Sequence, residues 1–261
     1  ARIIRQEARH RLRQGYGIRV FSRPKKLKDW LEKQGLSLEA RAHLITDAGT
    51  YVPGYSKYGQ EQVEFFIHSP FGWRQDDNGI IDRNQDSVVF QATFRENGRE
   101  TYALFISDID CGSSDQMVKT TKRHGNEDRL LWDIFKVPHH CSYTAIGWEK
   151  GEDKTQPTED VEWLCETQGR ERHVMVSTSK PMPVKGSAED KDVQPPHRQA
   201  GAYYKSVARE ADGSFKVTME TPSIAKPKPI QIEITDRGAR LLTISAIAGA
   251  ASIVSAPARA G

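Results

Sequence analysis

The chain has 261 residues, of which 37% are hydrophobic and 28% charged, with a formal net charge of +3. That is enough chain for one large domain or two modest ones with a buried core, and the composition reads as a soluble globular protein rather than a fibrous or membrane-embedded one. So small a net charge points to no partner class by itself. Its distribution says more: residues 1–28 carry Arg2, Arg5, Arg9, Arg11, Arg13, Arg19, Arg23, Lys25, Lys26 and Lys28 against the single acid Glu7. Such a run is either a solvated helix face with a loop or a patch that faces phosphates or nucleic acid.

In chain order, "IIRQEARHRLRQ" spaces Ile4, Ala8 and Leu12 at helical intervals, and "RPKKLKDWLEKQG" predicts a second short helix stopped by Gly35. "SLEARAHLI" is the candidate for a third. The chain then turns strand-like. "VEFFIHS" (63–69), "SVVFQATFR" (87–95) and "TYALFISD" (101–108) are β-branched and aromatic runs, and Asn97-Gly98 between the last two is a strong hairpin signal. "DIFKVPHH" (133–140) reads as a strand buried on both faces, and "HVMVSTS" (173–179) as another. Helical stretches, "SDQMVKTTKR" and "PTEDVEWLCETQG", separate them. In the second, Thr158 is the expected N-cap and Val161 and Leu164 face inward. The segment 179–199 is a loop rich in proline and charge. "SFKVTMET", "IQIEITD" and "ARLLTIS" predict three more strands. Alternating strands and helices with short links favour a layered α/β protein.

Cys111, Cys141 and Cys165 are odd in number and lack CxxC spacing, so no disulfide framework is expected and a reducing cytoplasm is the default. The charged opening has no signal-peptide pattern, and Ala1 in place of an initiator Met reads as a piece of something longer. The tail "LLTISAIAGAASIVSAPARAG" falls short of the roughly 20 uninterrupted apolar residues of a bilayer span. It reads as a docked or disordered terminus.

Chemistry concentrates at two strand ends. Asp108 closes "ALFISD", and a carboxylate at the carboxyl end of a buried strand points into the crevice where α/β folds place ligands. His139 and His140 close "DIFKVP", with Pro138 ending the sheet hydrogen bonds. Carboxylate and imidazole suit Zn²⁺, Mn²⁺ or Fe, and drawn from separate strands they suit a two-metal hydrolase. Taken singly, Asp108 is also what a helix cap or a turn would carry. Asp110 shares the direction of Asp108 if the strand continues, which makes it the fallback ligand. Cys141 is read as a small buried turn residue rather than a nucleophile, and His124 as a solvent-exposed loop residue.

The ordered motifs "NQDSVVFQATF", "YALFISDID" and "LWDIFKVPHHCSYTA" resemble the second half of the metallo-β-lactamase fold, an αββα sandwich. They are most similar to its branch in the competence protein ComEC. Asn84 and Ser87 match that branch's N-x-x-S element, and Asp108 its T-G-D, with Ser107 in the Gly position. Asp133, Lys136, Val137, Pro138, His139, His140 and Ser142 match its D-V-L-K-V-P-H-H-G-S, with Cys141 in the second Gly position. "VMVSTS…PPHRQ" extends the resemblance to His197, and the whole covers roughly residues 60–205. It divides the chain into a helical, basic connecting segment (1–60), the second half of the domain (61–210) and a C-terminal β extension with its tail (211–261).

The resemblance implies that Asp108 bridges two metals, Zn²⁺ or Mn²⁺, and that His139 or His140 ligates one of them. Its neighbour then contacts substrate or orients the ligand. His197 would donate to a developing oxyanion or leaving group, and Asn84 and Ser87 would tie the strand edge or orient Asp108. The family's H-x-H-x-D-H, source of most ligands, is absent from all eight histidines of this sequence. Either another chain or an N-terminal domain supplies it, or the protein is a degenerate relative that kept the scaffold. The expected function is a metal-dependent phosphodiesterase or nuclease acting on nucleic acid or a smaller phosphoester, with no membrane partner. The alternative is a non-catalytic scaffold or interaction subunit, and a β-lactamase proper is disfavoured. Half a sandwich would expose an apolar sheet face: a fragment is expected to have a partner chain or a missing domain over it, and a degenerate relative to fold residues 1–60 back to cover it.

Overall fold

The computed structural model describes residues 2–72 and 84–242. Helix α1 (Arg2–Gln14), strand β1 (Val20–Phe21), helix α2 (Lys25–Glu32) and strand β2 (Ile45–Thr46) open the chain. The predicted third helix is a 3₁₀ segment, Glu39–Leu44, running directly into β2. Gly35 stops α2's turn in the left-handed region at φ 70°, as its sequence position requires. This N-terminal part has a core of its own, in which Leu12, Leu31 and Leu44 pack with Ile18, Val20, Leu27 and Trp30.

The main body is one six-stranded sheet in the order β3 (Val63–Ser69), β4 (Val89–Glu96), β5 (Arg99–Ile106), β6 (Trp132–Lys136), β7 (Gly169–Ser177), β8 (Ser214–Val217). The first three strands are antiparallel and the last three join β5 in parallel. Asn97 and Gly98, at φ 49° and 87°, make the predicted two-residue turn, with Glu96 opposite Arg99. Helix α3 (Cys111–Arg123) links β5 to β6, and helix α5 (Arg198–Glu210) links β7 to β8. Between them, helix α4 (Glu159–Glu162) passes into a π-helical turn, Trp163–Thr167. Thr158 stands at the predicted cap position, but its hydroxyl donates to Asp115 at 2.6 Å instead of capping. Val161 and Leu164 are buried as expected.

Strand alternation sorts the sheet into two faces. Val89, Leu104, Ile106, Trp132, Phe135 and Met175 meet Met117, Leu164, Tyr203, Tyr204 and Val207 from the helices in the principal core. On the other face, Phe65, Phe90, Phe94, Ala103 and Ile134 meet Ile232, Ile234 and Ala239 from a separate hairpin, β9 (Ile232–Thr235) and β10 (Gly238–Leu241). The three predicted C-terminal strands thus divide: β8 is the sixth strand of the main sheet, and β9–β10 cover part of its open face. Residues 243–261, which hold the end of the third predicted strand and the apolar tail, lie outside the described residues. Among the described residues no helix is long and apolar enough to cross a membrane.

Candidate metal half-site

Strands β5 and β6 are parallel neighbours, so their carboxyl ends lie side by side and the residues that follow converge. Asp108 leaves β5 two residues after its last rung. After β6, Pro138 starts a single 3₁₀ turn, and His139, His140 and Cys141 follow with φ of 45°, 52° and 67°. Three consecutive left-handed residues, none of them glycine, cost of order 1–3 kcal/mol each. The surroundings hold them there: the His139 amide donates to the Ser107 carbonyl (3.3 Å), and the His197 amide to the Cys141 carbonyl (3.0 Å).

This turn swings His140 over Asp108, bringing Nε2 to 3.5 Å from Oδ2. On the far side of the ring, Nδ1 lies 2.7 Å from the Thr178 carbonyl after β7. A carbonyl only accepts, so Nδ1 carries the proton. In the neutral ring Nε2 therefore turns a lone pair toward a carboxylate oxygen, which also offers only lone pairs. The Lys136 ammonium approaches the other oxygen, Oδ1, at 4.0 Å while donating to the Ile106 carbonyl at 2.9 Å. Burial pushes the Lys136 pKa below its ordinary value, and Asp108 draws it partly back.

His197 is the residue before α5 and is 2% exposed. Its Nδ1 accepts from the Tyr143 amide at 3.2 Å, so the neutral ring's proton sits on Nε2, which makes no hydrogen bond of standard geometry. The ring of Tyr143 stands edge-on to it at 5.0 Å. Burial lowers the His197 pKa, the Lys150 ammonium lowers it further, and the Val193 backbone pulls it partly back. His139 sends its side chain inward, where Nδ1 is also buried without a hydrogen bond.

The other predicted residues hold the frame. β5 ends at Ile106, so the alternation that made Asp110 a fallback ligand does not reach it. Asp110 instead caps α3, with Oδ1 accepting from the Ser113 amide (2.8 Å) and Oδ2 from the Gln85 amide nitrogen (2.7 Å). Ser87 closes a turn onto the Asn84 carbonyl through its hydroxyl (2.6 Å), and its own carbonyl accepts from Ser69 (3.2 Å). These two residues tie the strand edge. Beside Asp108 it is Ser107 that does so, donating to the Val88 carbonyl at 2.7 Å. Cys141 is fully buried, and burial pushes its thiol up to about 12, which leaves it inert as a nucleophile. His124 is exposed.

Sequence reasoning missed Thr178 and Tyr143. Both act through backbone groups, and a carbonyl or an amide leaves no signature in residue type.

The donor set fits half of a metal centre. Two ligands of one tetrahedral ion, each about 2.1 Å from it, lie about 3.4 Å apart. The Asp108–His140 separation of 3.5 Å matches, and a carbonyl behind the imidazole is the usual support of a metal-binding histidine. A catalytic zinc takes three protein ligands, and among the described residues no three His, Cys, Asp or Glu side chains gather to hold an ion. Set beside known protein families, curated proteins and solved structures, the chain matches none.

Proposed function

We propose that this chain is the second half of a metallo-β-lactamase-like αββα sandwich and acts as a metal-dependent hydrolase of phosphodiester bonds. Its dinuclear site, of Zn²⁺ or Mn²⁺, is completed by an upstream segment or a partner chain. One observation carries the reading: the Asp108 carboxylate and Nε2 of His140 face each other at 3.5 Å with Nδ1 held by the Thr178 carbonyl, a spacing that a cation between them fits when the ring is neutral. The N-terminal segment lies over part of the sheet's second face, as the scaffold reading expects, and leaves apolar space there that a further segment could fill. Beside Phe65, Ile67, Val88 and Phe90 lies an apolar cavity of about 820 Å³, roofed by Tyr16, Ile18 and Leu44 of the N-terminal segment.

In this reading Asp108 and His140 hold the metals, which when bound supply a Lewis acid and a water acidic enough to attack near neutral pH. His140 is fixed by the Thr178 carbonyl, and Lys136 steadies the carboxylate from its other oxygen. His197 carries its neutral-ring proton on Nε2, where the Val193 backbone attracts it, and a developing oxyanion would compete for that donor. A polyanionic substrate agrees with α1, where Arg2, Arg5, Arg9 and Arg13 recur at i, i+3, i+7 and i+11, all exposed. That spacing puts four guanidinium groups on one stripe of the helix.

The second reading is a scaffold or interaction subunit that kept the fold, favoured by the convergence of only two donors among the described residues. Elemental analysis of the full-length protein and of Asp108→Ala separates the two. About two equivalents of zinc or manganese, lost in the variant together with phosphodiesterase activity, are expected of the hydrolase. No metal above background in either protein means the scaffold.

A further inference from the structure

Among the described residues, the tryptophans other than Trp148 are buried or half-buried, whereas Trp148 is 72% exposed. Two glycines account for its placement. A Cβ on Gly147 would collide with the Gln156 carbonyl, so the backbone entering Trp148 is pressed against the strand of loop that returns from it. A Cβ on Gly112, in the first turn of α3, would lie 2.9 Å from Cη2 of the indole. The ring is thus seated on the bare backbone of the helix that Asp110 caps, four residues past Asp108, and leaves most of its surface to solvent.

The loop that carries it borders the half-site on the other side too. It begins at the Ser142–Tyr143 turn that receives His197, and Lys150, two residues on, lies close enough for its charge to depress the His197 pKa. Lys150 is itself anchored on the Asp190 carbonyl at 2.7 Å. Thr155 and Thr158 close the loop through the Gln199 carbonyl (3.2 Å) and the Ile146 carbonyl (3.0 Å). An exposed indole that is pinned in place loses little freedom when something planar covers it.

We propose that Trp148 is a stacking platform for a nucleobase of the substrate whose phosphodiester reaches Asp108 and His140. This rests on the hydrolase reading above and narrows its substrate to a nucleotide-bearing one. The ring's setting argues against a protein partner. Residues 149–154, Glu-Lys-Gly-Glu-Asp-Lys, follow it directly in the chain, while the core of a protein interface is depleted of charge and needs a wider apolar patch. A base needs only one ring face.

The test titrates the full-length protein with single-stranded oligothymidylate of about ten nucleotides and with an abasic deoxyribose-phosphate chain of the same length. Anisotropy of a labelled probe gives Kd, and intrinsic fluorescence reports the indole. Oligothymidylate should quench a component that is absent from Trp148→Phe, and the abasic chain should not. Trp148→Ala should weaken oligothymidylate binding by about five- to 150-fold, Trp148→Phe by much less, and neither should alter abasic binding. Equal binding by wild type and Trp148→Ala, or equal affinity for the two probes, overturns the platform. The two proposals fail separately. Cleavage lost in Asp108→Ala but unchanged, with binding, in Trp148→Ala leaves the hydrolase and removes the platform. Base-dependent binding through Trp148 without any cleavage leaves the platform and removes the hydrolase.

Discussion

On the helical face of the sheet, Trp132, Phe135, Leu104 and Met175 are each at most 1% exposed, and Tyr203 and Tyr204 close over them. On the opposite face Phe105 is 36% exposed and stacks on a half-buried Phe90 at 4.8 Å. Beside Phe90 the apolar cavity opens, with the β9–β10 hairpin covering only the other end of that face. The same strands therefore carry one fully buried face and one only partly covered. A sheet read from strand pattern alone looks equally apolar on both sides. The difference shows that, among the described residues, the sheet is sealed toward its helices and only partly covered on its other face.

The largest contrast should come from truncating one aromatic on each face. Trp132 donates through Nε1 to the Leu164 carbonyl at 2.9 Å and packs so close to Gly169 that a Cβ there would sit 2.6 Å from its ring. Trp132→Ala should cost about 3–5 kcal/mol, the range for large buried aromatics, and Phe90→Ala less than about 2 kcal/mol. Urea unfolding of both variants measures this. Equal losses would mean that the open face is as well packed as the sealed one.

A second contrast adds volume instead of removing it. Ala200 is fully buried where α5 meets the sheet, and Ala200→Val should cost about 1–3 kcal/mol by overpacking. Val88 lines the cavity, so Val88→Phe has room to turn into it and should cost less than about 1 kcal/mol. A large loss at Val88 would show that the cavity wall does not yield.

The sealed face also carries a proton-linked signature. His68 on β3 is fully buried, with Nε2 donating to the Arg129 carbonyl at 2.8 Å and Nδ1 3.3 Å from the Thr121 hydroxyl. Burial pushes its pKa down from 6.5 to about 4. Between those values the unfolded chain binds a proton that the folded chain refuses, so stability falls as pH drops through that window. From pH 7 to pH 5 the loss from this one group is about 2 kcal/mol. His68→Gln should flatten that slope in a pH series of unfolding midpoints, and an unchanged slope would place the proton uptake elsewhere, for instance at His173 or His197.

Much of this was legible in the sequence. The hairpin at Asn97-Gly98, the five long strands and the pairing of Asp108 with the histidine turn all follow from residue pattern. Three things were not. β5 and β6 end at Ile106 and Lys136, earlier than the strands expected over 101–108 and 133–140, so the alternation stops short of Asp110, which caps a helix instead of serving as a fallback ligand. The division of the last three strands between sheet and hairpin depends on long-range pairing that no local pattern encodes. The seating of the Trp148 ring depends on Gly112, distant in sequence, and on its own neighbour Gly147, each explained only by the atom its Cβ would otherwise strike.

The smallest effect tests whether the histidine turn is under strain. Cys141 has φ 67° with its side chain fully buried near Gly201, in a conformation that costs an L-residue roughly 1–2 kcal/mol. Cys141→Gly removes that cost. It also loses the buried thiol, worth on the order of 1 kcal/mol of burial, and loosens the unfolded chain by roughly 0.5–1 kcal/mol. These nearly cancel, so Tm should move by no more than about 3 °C. Cys141→Ala loses the thiol and keeps the left-handed cost. Glycine also gives up the buried β-carbon, so the two variants should match to within about 1 kcal/mol, whereas at most buried sites alanine is clearly the more stable. If alanine is clearly the more stable, the turn is not strained at Cys141, and the rigidity that aims His140 at Asp108 must come from the Thr178 and Ser107 hydrogen bonds alone.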